Sequence, residues 1–389
     1  MSSASIKTKQ KKKVFVGLSG GVDSSTAAAL LKKEGYDVTG VFIKTWHPDF
    51  LPCTWKEERL DAMRVAARLD IPFLTFDFEK EYKQKVADYF ISEYKLGRTP
   101  NPDVMCNKEI KFGAFLKRAR EMGADFIATG HYARKAISDE RLAISRNDKH
   151  LNAKRYTLNA GLDKNKDQTY FLWTLSQKQL KHIIFPIGEY KKDEVRRIAK
   201  KFGLQTAQKK DSQGICFLGK TDMMEFLSHY IKPKKGDLLN EFGKKIGTHN
   251  GVMFYTIGQR HGFYMNARCK NTLPYYVVSK NIRKNTIVVS NKNISLIHSL
   301  STHKGTSFGN RKIYLENVNW ILGELPNLDR KYRAQIRYRG KFLPCRLVLP
   351  KTKQGGTARL VFDEPQASAL GQSAVIYDKD ICLGGGIVK

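Results

Sequence analysis

The sequence predicts an α/β architecture in which a doubly wound parallel sheet is followed by a small β-rich module and then a C-terminal β-barrel or sandwich. Three observations carry that prediction. As far as about Gly203, short apolar runs alternate with stretches of helical periodicity. After about Leu218, short β-branched and aromatic runs separated by turn residues take over, and helical periodicity nearly vanishes past Tyr230. The chain has 389 residues, more than one hydrophobic core usually organises.

The elements follow in order. Val14–Leu18 reads as a buried strand, and the Ala/Leu-rich stretch Ser24–Glu34 reads as a helix ended by Gly35. Val38–Ile43 is a second strand. Glu57–Leu69 places Leu60, Met63, Val65, Ala67 and Leu69 at helical spacing. Phe73–Phe78 predicts a strand, Ile110–Met122 a helix and Phe126–Thr129 another strand. Such alternation implies parallel strands with right-handed crossovers and a ligand crevice at their carboxyl ends. In the second half, strands are predicted at Tyr275–Ser279, Thr286–Ser290, Ala334–Tyr338, Ala358–Phe362 and Ala374–Tyr377. The expected domains are 1–217, 218–285 and 286–389.

Composition narrows the function classes. The net charge of +32 far exceeds what solubility requires and predicts a polyanionic partner, nucleic acid first and an anionic membrane second. No apolar run reaches membrane-spanning length, so no membrane partner is expected. Six cysteines without C-x-x-C spacing suggest neither a disulfide scaffold nor a structural zinc site. The polar, Lys-rich start leaves little room for a presequence, so a cytoplasmic protein is expected.

The strongest local signal follows the first strand. Ser19-Gly20-Gly21-Val22-Asp23-Ser24-Ser25 joins a strand to a helix. Glycines let backbone N–H groups converge, serines add donors, and the helix start adds partial positive charge, so the segment is an anion cradle. No Gly-Lys-Ser/Thr follows, so it is not a Walker loop. Asp23 is a plausible contact for Mg²⁺, directly or through water. A Gly-rich turn capping a helix would explain the loop alone.

Two cysteines stand apart. Cys106 follows Pro100-Asn101-Pro102-Asp103, with Lys108 and Lys111 nearby and Asn107 as a credible cap for the helix beyond. A thiol there is expected at a helix N-terminus with a depressed pKa, and Asp103 could serve as a general acid. Cys216 lies in the basic, Gly-containing stretch Lys209–Leu218. Cys53, Cys269, Cys345 and Cys382 read as ordinary small core residues. In the β-rich half, Lys331–Arg346 holds six basic residues and no acid. Strand alternation puts Lys331, Arg333, Gln335, Arg337, Arg339 and Lys341 on one face, a ladder that phosphate contacts would stabilise. The stretch Lys191–Lys210 is also basic, and a solvated helix explains it about as well.

Together these segments closely resemble the tRNA-specific 2-thiouridylase family within the PP-loop ATP pyrophosphatases. The carriers are GLSGGVDSS at 17–25, GRTPNPDVMCNKEIKF at 97–112, ATGHY at 128–132, GLDKNKDQTYFL at 161–172 and KKDSQGICFLG at 209–219. TIGQRHG at 256–262, RYR at 337–339, GQSAVIYD at 371–378 and CLGGGIV at 382–388 complete the set. The resemblance implies an ATP- and Mg²⁺-dependent enzyme. It would adenylate the C2 oxygen of the wobble uridine of tRNA and replace it by sulfur, releasing AMP and pyrophosphate. Cys106 would be the nucleophile, Cys216 the persulfide carrier and Asp103 the acid/base, with a Cys106–Cys216 disulfide formed in turnover. The nucleotide would touch Gly17, Leu18, Ser19, Gly20, Gly21, Val22, Asp23, Ser24, Ile43 and Gly130. Asn101, Pro102 and Asp103 would touch the target base. His131, Lys166, Asp167, Gln168, Arg337, Tyr338 and Gln372 would contact tRNA. Implied partners are the tRNAs for Glu, Gln and Lys and an upstream persulfide-relay protein. Implied domains are a nucleotide-binding domain, a small central β domain and a C-terminal β-barrel.

Some positions depart from the family pattern: the loop after Trp46 is short and weakly acidic, and Thr169, Phe263 and Leu370 replace commoner residues. A PP-loop enzyme for a small molecule would explain Ser19–Ser25 but neither the cysteine segments nor the charge. Lysidine formation also adenylates a C2 oxygen, yet needs no cysteine. A non-catalytic tRNA-binding protein would not need both thiols.

Overall fold

The computed structural model describes residues 11–51, 55–137, 155–211, 221–266, 273–292, 310–349 and 356–389. Cys53, Cys216 and Cys269 lie outside the described residues. The first part of the chain contributes β1 (Lys13–Gly17), β2 (Asp37–Lys44), β3 (Phe73–Asp77), β4 (Phe126–Ala128), β5 (Ala133–Ile137), β6 (Tyr156–Ala160) and β7 (Ile183–Ile184). Five of these form a parallel sheet in the order β3-β2-β1-β4-β7. The chain builds outward from β1 to β3, then returns to the other side of β1 as β4. The topological switch therefore opens a crevice between the carboxyl ends of β1 and β4.

Side-chain alternation explains why β1 is central. Val14 and Val16 face a core with Ala27, Leu31, Val65 and Val195, while Phe15 faces Phe76, Phe115 and Ile127. Both faces are covered, as a parallel sheet requires. The helices Val22–Lys33, Trp55–Arg68 and Lys192–Lys201 contribute to the first layer. Helical segments over 79–95 and 102–121 contribute to the second, each interrupted by a π-helical stretch. The second layer is continuous with the rest of the chain: Phe226, Val277, Val375 and Tyr377 belong to the same apolar cluster as Phe15 and Ile110.

The middle sheet comprises β8 (Gly236–Leu239), β9 (Lys245–His249), β10 (Tyr264–Met265), β11 (Tyr276–Asn281) and β12 (Thr286–Ser290), in the order β10-β9-β8-β12-β11. This corrects the expected boundary at 285/286. Thr286–Ser290 pairs parallel with β8 and antiparallel with β11, so it belongs to the middle domain.

The C-terminal strands are β13 (Asn310–Trp320), β14 (Lys331–Gln335), β15 (Leu343–Val348), β16 (Ala358–Gln366), β17 (Ser373–Asp378) and β18 (Ile381–Val388). Their order β13-β16-β15-β14-β17-β18 closes through β13–β18 pairing, a six-stranded barrel. Closure removes exposed strand edges. The hairpin β5–β6 also joins this sheet, through Ile381 opposite Asn159 and Cys382 opposite Leu158. An N-terminal segment thus extends the C-terminal barrel, a connection that strand patterning had not suggested.

The glycine run in β18 marks a close approach of backbones. A Cβ on Gly384 would lie 2.0 Å from the Asn319 carbonyl oxygen, and one on Gly385 would lie 3.2 Å from the Trp173 ring. Trp173 is 2% exposed, and its indole N–H donates to Ser373 Oγ at 3.1 Å. Trp173→Ala is therefore expected to cost about 3–5 kcal/mol through lost packing and a residual cavity. Urea unfolding should show the fall in midpoint, and an unchanged midpoint would contradict this packing.

Candidate active site

β1 ends at Gly17, and the helix Val22–Lys33 begins five residues later, so the 17–24 segment turns at the switch point. Gly20 has φ +69°, and a Cβ there would meet the Glu58 carbonyl oxygen at 2.5 Å. That combination demands glycine. Gly21 caps the helix without any side-chain bond, leaving its first amides unclaimed by a cap. Ser24 Oγ lies 3.2 Å from both the Ser19 amide and the Ser19 hydroxyl. Gly130, just after β4, packs so closely that a Cβ would lie 2.6 Å from the Ser24 nitrogen. A Cβ on Gly17 would reach Ile43 Cδ1 at 3.8 Å. The fold thus gathers the 17–24 loop, Ile43 and Gly130 at one end of the sheet.

Asp23 is the acidic centre of this loop. It accepts hydrogen bonds from Lys192 Nζ at 2.7 and 2.8 Å and from the Tyr132 hydroxyl at 2.8 Å. Lys192 is only 8% exposed and also pairs with Asp211 at 2.8 Å. Asp211 further receives Lys166 at 2.6 Å and Arg196 at 2.8 Å. Burial pushes the Asp211 carboxyl up, but hydrogen bonds from Lys166 and Lys192 and their positive charge more than reverse that, holding it at about 2. Lys209 Nζ reaches the Gly20 carbonyl oxygen at 3.0 Å and Asp61 at 2.7 Å. The described chain leading to Cys216 is therefore docked on the phosphate loop itself. Sequence reasoning missed Lys192 and Lys209 because their basic stretch resembles a solvated surface. The signal that separates them is the run Lys209-Lys210-Asp211, where an acid follows lysines.

The segment bearing Cys106 is not arranged as expected. Asn101, not Asn107, caps the helix: its side chain accepts from the Val104 amide at 3.2 Å, and Pro102 supplies the first turn. Cys106 lies one turn inside, where its amide is already bonded to the Pro102 and Asp103 carbonyls. The expectation of a thiol at the helix N-terminus is corrected accordingly. The helix dipole is strongest within the first turn. Cys106 instead begins a π-helical stretch, Cys106–Ala114, and is 4% exposed. Such stretches are frequent at functional sites. Asn107 donates to the Phe171 carbonyl oxygen at 3.1 Å.

Asp103 is half-buried, and burial pushes its carboxyl up, with the Lys111 ammonium pulling it partly back. The same Lys111 charge acts on His131, whose buried ring is held well below its ordinary range mainly by desolvation. His131 lies 5.6 Å from the Phe112 ring and 2.8 Å from the Thr129 hydroxyl. The strand end that carries Gly130 onto the phosphate loop therefore carries His131 onto the Cys106 helix.

The residues expected at tRNA divide sharply. His131 is buried. Lys166 is bonded to Asp211, and Asp167 turns inward to the Gly161 amide at 2.9 Å and the Thr169 hydroxyl at 2.8 Å. Gln168 accepts from the Tyr132 amide at 3.0 Å. Gln372 donates to the Thr99 carbonyl oxygen at 2.9 Å. Tyr338 packs its ring 4.3 Å from Phe171, whereas Arg337 is exposed. The expected cationic ladder is shorter than its sequence suggests. β14 stops at Gln335, which is buried and donates to the Gly340 carbonyl oxygen at 2.9 Å, closing a turn. Lys331 and Arg333 remain exposed, with Arg346 directly across from Lys331.

Residues 12–220 match a family profile described as the tRNA methyl transferase HUP domain. Residues 224–291 match a tRNA methyl transferase PRC-barrel domain, and 310–388 an aminomethyltransferase beta-barrel domain. The tRNA-specific 2-thiouridylase MnmA of Francisella philomiragia is 42% identical over 97% of this chain and 99% of its own. That of Geobacillus thermodenitrificans is 44% identical over 98% and 96%. Among solved structures, the U34-tRNA thiolase NcsA from Methanococcus maripaludis aligns at 20% identity over 57% of this chain and 63% of its own, with a TM-score of 0.33.

Linkage at Asp211 has a definite sign. Its folded pKa is depressed, so the stability it contributes is complete above its ordinary value of 3.8 and is lost as pH falls toward about 2. Asp211→Asn is expected to lower stability at neutral pH and to remove that part of the acid dependence. Denaturation midpoints measured from pH 5 to about pH 2 check it. Parallel curves for the two proteins would contradict the network.

Proposed function

The chain belongs to the tRNA-specific 2-thiouridylase family, and from that premise we propose that it is an ATP-dependent sulfurtransferase that exchanges the C2 oxygen of the wobble uridine of tRNA for sulfur. One observation carries the reading. A glycine-built anion cradle after β1 and a glycine after β4 that packs on it lie at the switch point, and the helical segment bearing Asp103 and Cys106 packs its Phe112 against His131, the residue after that glycine. A cradle for phosphates together with a half-buried acid and a buried thiol suits activation and displacement of an oxygen.

The uracil C2 oxygen is a poor leaving group until it is adenylated. The backbone amides of the 17–24 loop and the Lys192 ammonium would hold the polyphosphate and the departing pyrophosphate. Asp23 offers the single carboxylate that Mg²⁺ needs alongside phosphate oxygens, once Lys192 turns to phosphate. Mg²⁺ supplies charge neutralisation on the phosphates. Asp103, biased toward its protonated form by burial, would donate a proton at the base and take it back.

Sulfur would arrive as a persulfide on Cys216, supplied by a relay protein. Attack of its terminal sulfur on C2 expels AMP and leaves a Cys216–S–S–C2 linkage. The Cys106 thiolate then attacks the Cys216 sulfur, the S–S bond breaks toward the base, and a thiocarbonyl remains. Alternatively, Cys106 attacks first and releases hydrosulfide, which attacks C2. Either route ends in a Cys106–Cys216 disulfide that an external thiol reduces. The substrates are the tRNAs for Glu, Gln and Lys, and the compartment is the cytoplasm. Among the described residues no helix is long and apolar enough to cross a membrane.

Cys106→Ala is expected to abolish 2-thiouridine formation while tRNA affinity stays near wild type. The check is incubation with ATP, Mg²⁺, a persulfide donor that loads Cys216 and unmodified tRNA, with no added sulfide or reducing thiol, followed by nucleoside mass spectrometry. Near-normal product would remove the two-thiol mechanism. Arg337→Ala should weaken tRNA binding and shallow the log–log salt dependence by about 1. An unchanged slope would assign Arg337 to a solvated surface.

A further inference from the structure

The segment that delivers Asp103 and Cys106 is gripped by both accessory domains, and the grip centres on one residue. Thr99 is 7% exposed. Its amide donates to the Leu370 carbonyl oxygen at 2.7 Å, and its own carbonyl accepts from Gln372 Nε2 at 2.9 Å. Both partners lie in the barrel's turn before β17. Its hydroxyl lies 2.9 Å from the hydroxyl of Thr256, in the middle domain. All three hydrogen-bonding groups of Thr99 are therefore used, across two other domains.

Neighbouring glycines show how closely the surfaces fit. Gly97 has φ +70°, and a Cβ there would lie 2.4 Å from Ile282 Cδ1 of the middle domain. Gly371 has φ +87°, and a Cβ there would lie 3.1 Å from the Thr99 carbonyl oxygen. Thr256 is itself fixed: its amide donates to Gln259 at 3.0 Å, and its hydroxyl also meets Tyr94 of the 79–95 helix. Three separated sequence segments, 97–102, 256–259 and 370–372, thus meet at Thr99. Between Thr99 and the helix stand Pro100 and the cap Asn101, and Pro102 is the first helical residue. Proline removes backbone freedom, so a displacement at Thr99 passes to Asp103 and Cys106 rather than being absorbed.

We propose that Thr99 is the positioning residue through which the middle domain and the C-terminal barrel set the Asp103–Cys106 helix start for reaction. The assignment rests on reading Asp103 and Cys106 as the reacting groups. Thr99 does not touch substrate; it converts the seating of two domains into the placement of a thiol and an acid. Displacements well under the size of an atom matter at such a distance from the chemistry.

The test uses the full chain with Thr99→Val, Thr99→Ser, Thr256→Val and the Thr99→Val/Thr256→Val double variant. Thr99→Val keeps the shape and removes the hydroxyl. Its kcat for thiolation is expected to fall about tenfold, the effect of one such hydrogen bond on a barrier. KM for ATP and affinity for tRNA should stay within about twofold, which a merely structural loss would not preserve. Thr99→Ser should retain wild-type kcat. Thr256→Val, which also loses the Tyr94 contact, should lower kcat at least as far as Thr99→Val, and the double variant should be no worse than Thr256→Val, because both remove the same Thr99–Thr256 hydrogen bond. Amide exchange over Asp103–Asn107 should quicken in the Val variants whether or not those groups react. An unchanged kcat, additive losses or unchanged exchange would overturn the proposal. Quickened exchange together with full thiolation by Cys106→Ala would instead sink the reading of the nucleophile, while upholding Thr99's hold on the helix.

Discussion

Lys192 is an ammonium with almost no water around it, and an unpaired charge in that position would be very costly. Its two carboxylate partners come from distant parts of the chain: Asp23 from the phosphate loop and Asp211 from the start of the second cysteine segment. Satisfying one buried charge therefore registers the loop, the helix Lys192–Lys201 and the approach to Cys216 against one another. Asp211 extends the register to Lys166, in a segment that also contacts the barrel through Thr169. The same requirement explains why Asp23 is already occupied: an open carboxylate beside a buried ammonium would not stay open. On the proposed reading, a polyphosphate would offer Lys192 an alternative partner and so couple nucleotide binding to the approach to Cys216.

The accessory domains act on the other side of the crevice. Helical residues from 79–95 and 102–121 share one apolar cluster with the middle sheet and part of the barrel, so these domains are packed against that helical layer. The connection is polar as well as apolar. Asn319 in β13 donates to the carbonyl oxygens of Trp173 and Leu175, and Tyr170 donates to that of Ser373. Glycines occur where the backbones come closest, in β18 and at Gly97, Gly188 and Gly371. At Gly188 a Cβ would fall 1.8 Å from the Ala133 carbonyl oxygen, so the start of the β5–β6 hairpin leaves no room for any side chain there.

Several residues expected to meet tRNA are spent on internal contacts here. Gln168 and Gln372 hold backbone groups, and Asp167 closes its own turn. Their positions nevertheless form one seam between the nucleotide domain and the barrel, and Arg337 projects from the turn after β14 near Gly258 of the middle domain. Contact with RNA along that seam would act on the same hydrogen bonds that seat the reacting helix.

The amino-acid sequence alone determined the parallel sheet, the anion cradle and the identity of the thiol and acid candidates, because these depend on local patterns. Strand-length apolar runs, glycines between a strand and a helix, and prolines flanking Asn101 each express a short-range constraint. Strand patterning alone left barrel or sandwich open, and the resemblance implied the barrel that is found; what was not legible was β18, built on three consecutive glycines, poor strand formers whose absence of side chains matters only once Asn319 and Trp173 are placed against them. The helix start was misplaced at Asn107 because Asn101-Pro102 reads equally well as an extended turn, and only the Val104 amide decides between them. Gln335 shows the limit of alternation, since period two holds only while the strand lasts, and the chain turns immediately after it. What tertiary structure decided was pairing across long separations: Lys192 with Asp23 and Asp211, and Thr99 with Thr256 and Gln372. Such pairs obey burial and charge balance in three dimensions, and those requirements leave no periodic trace along a chain.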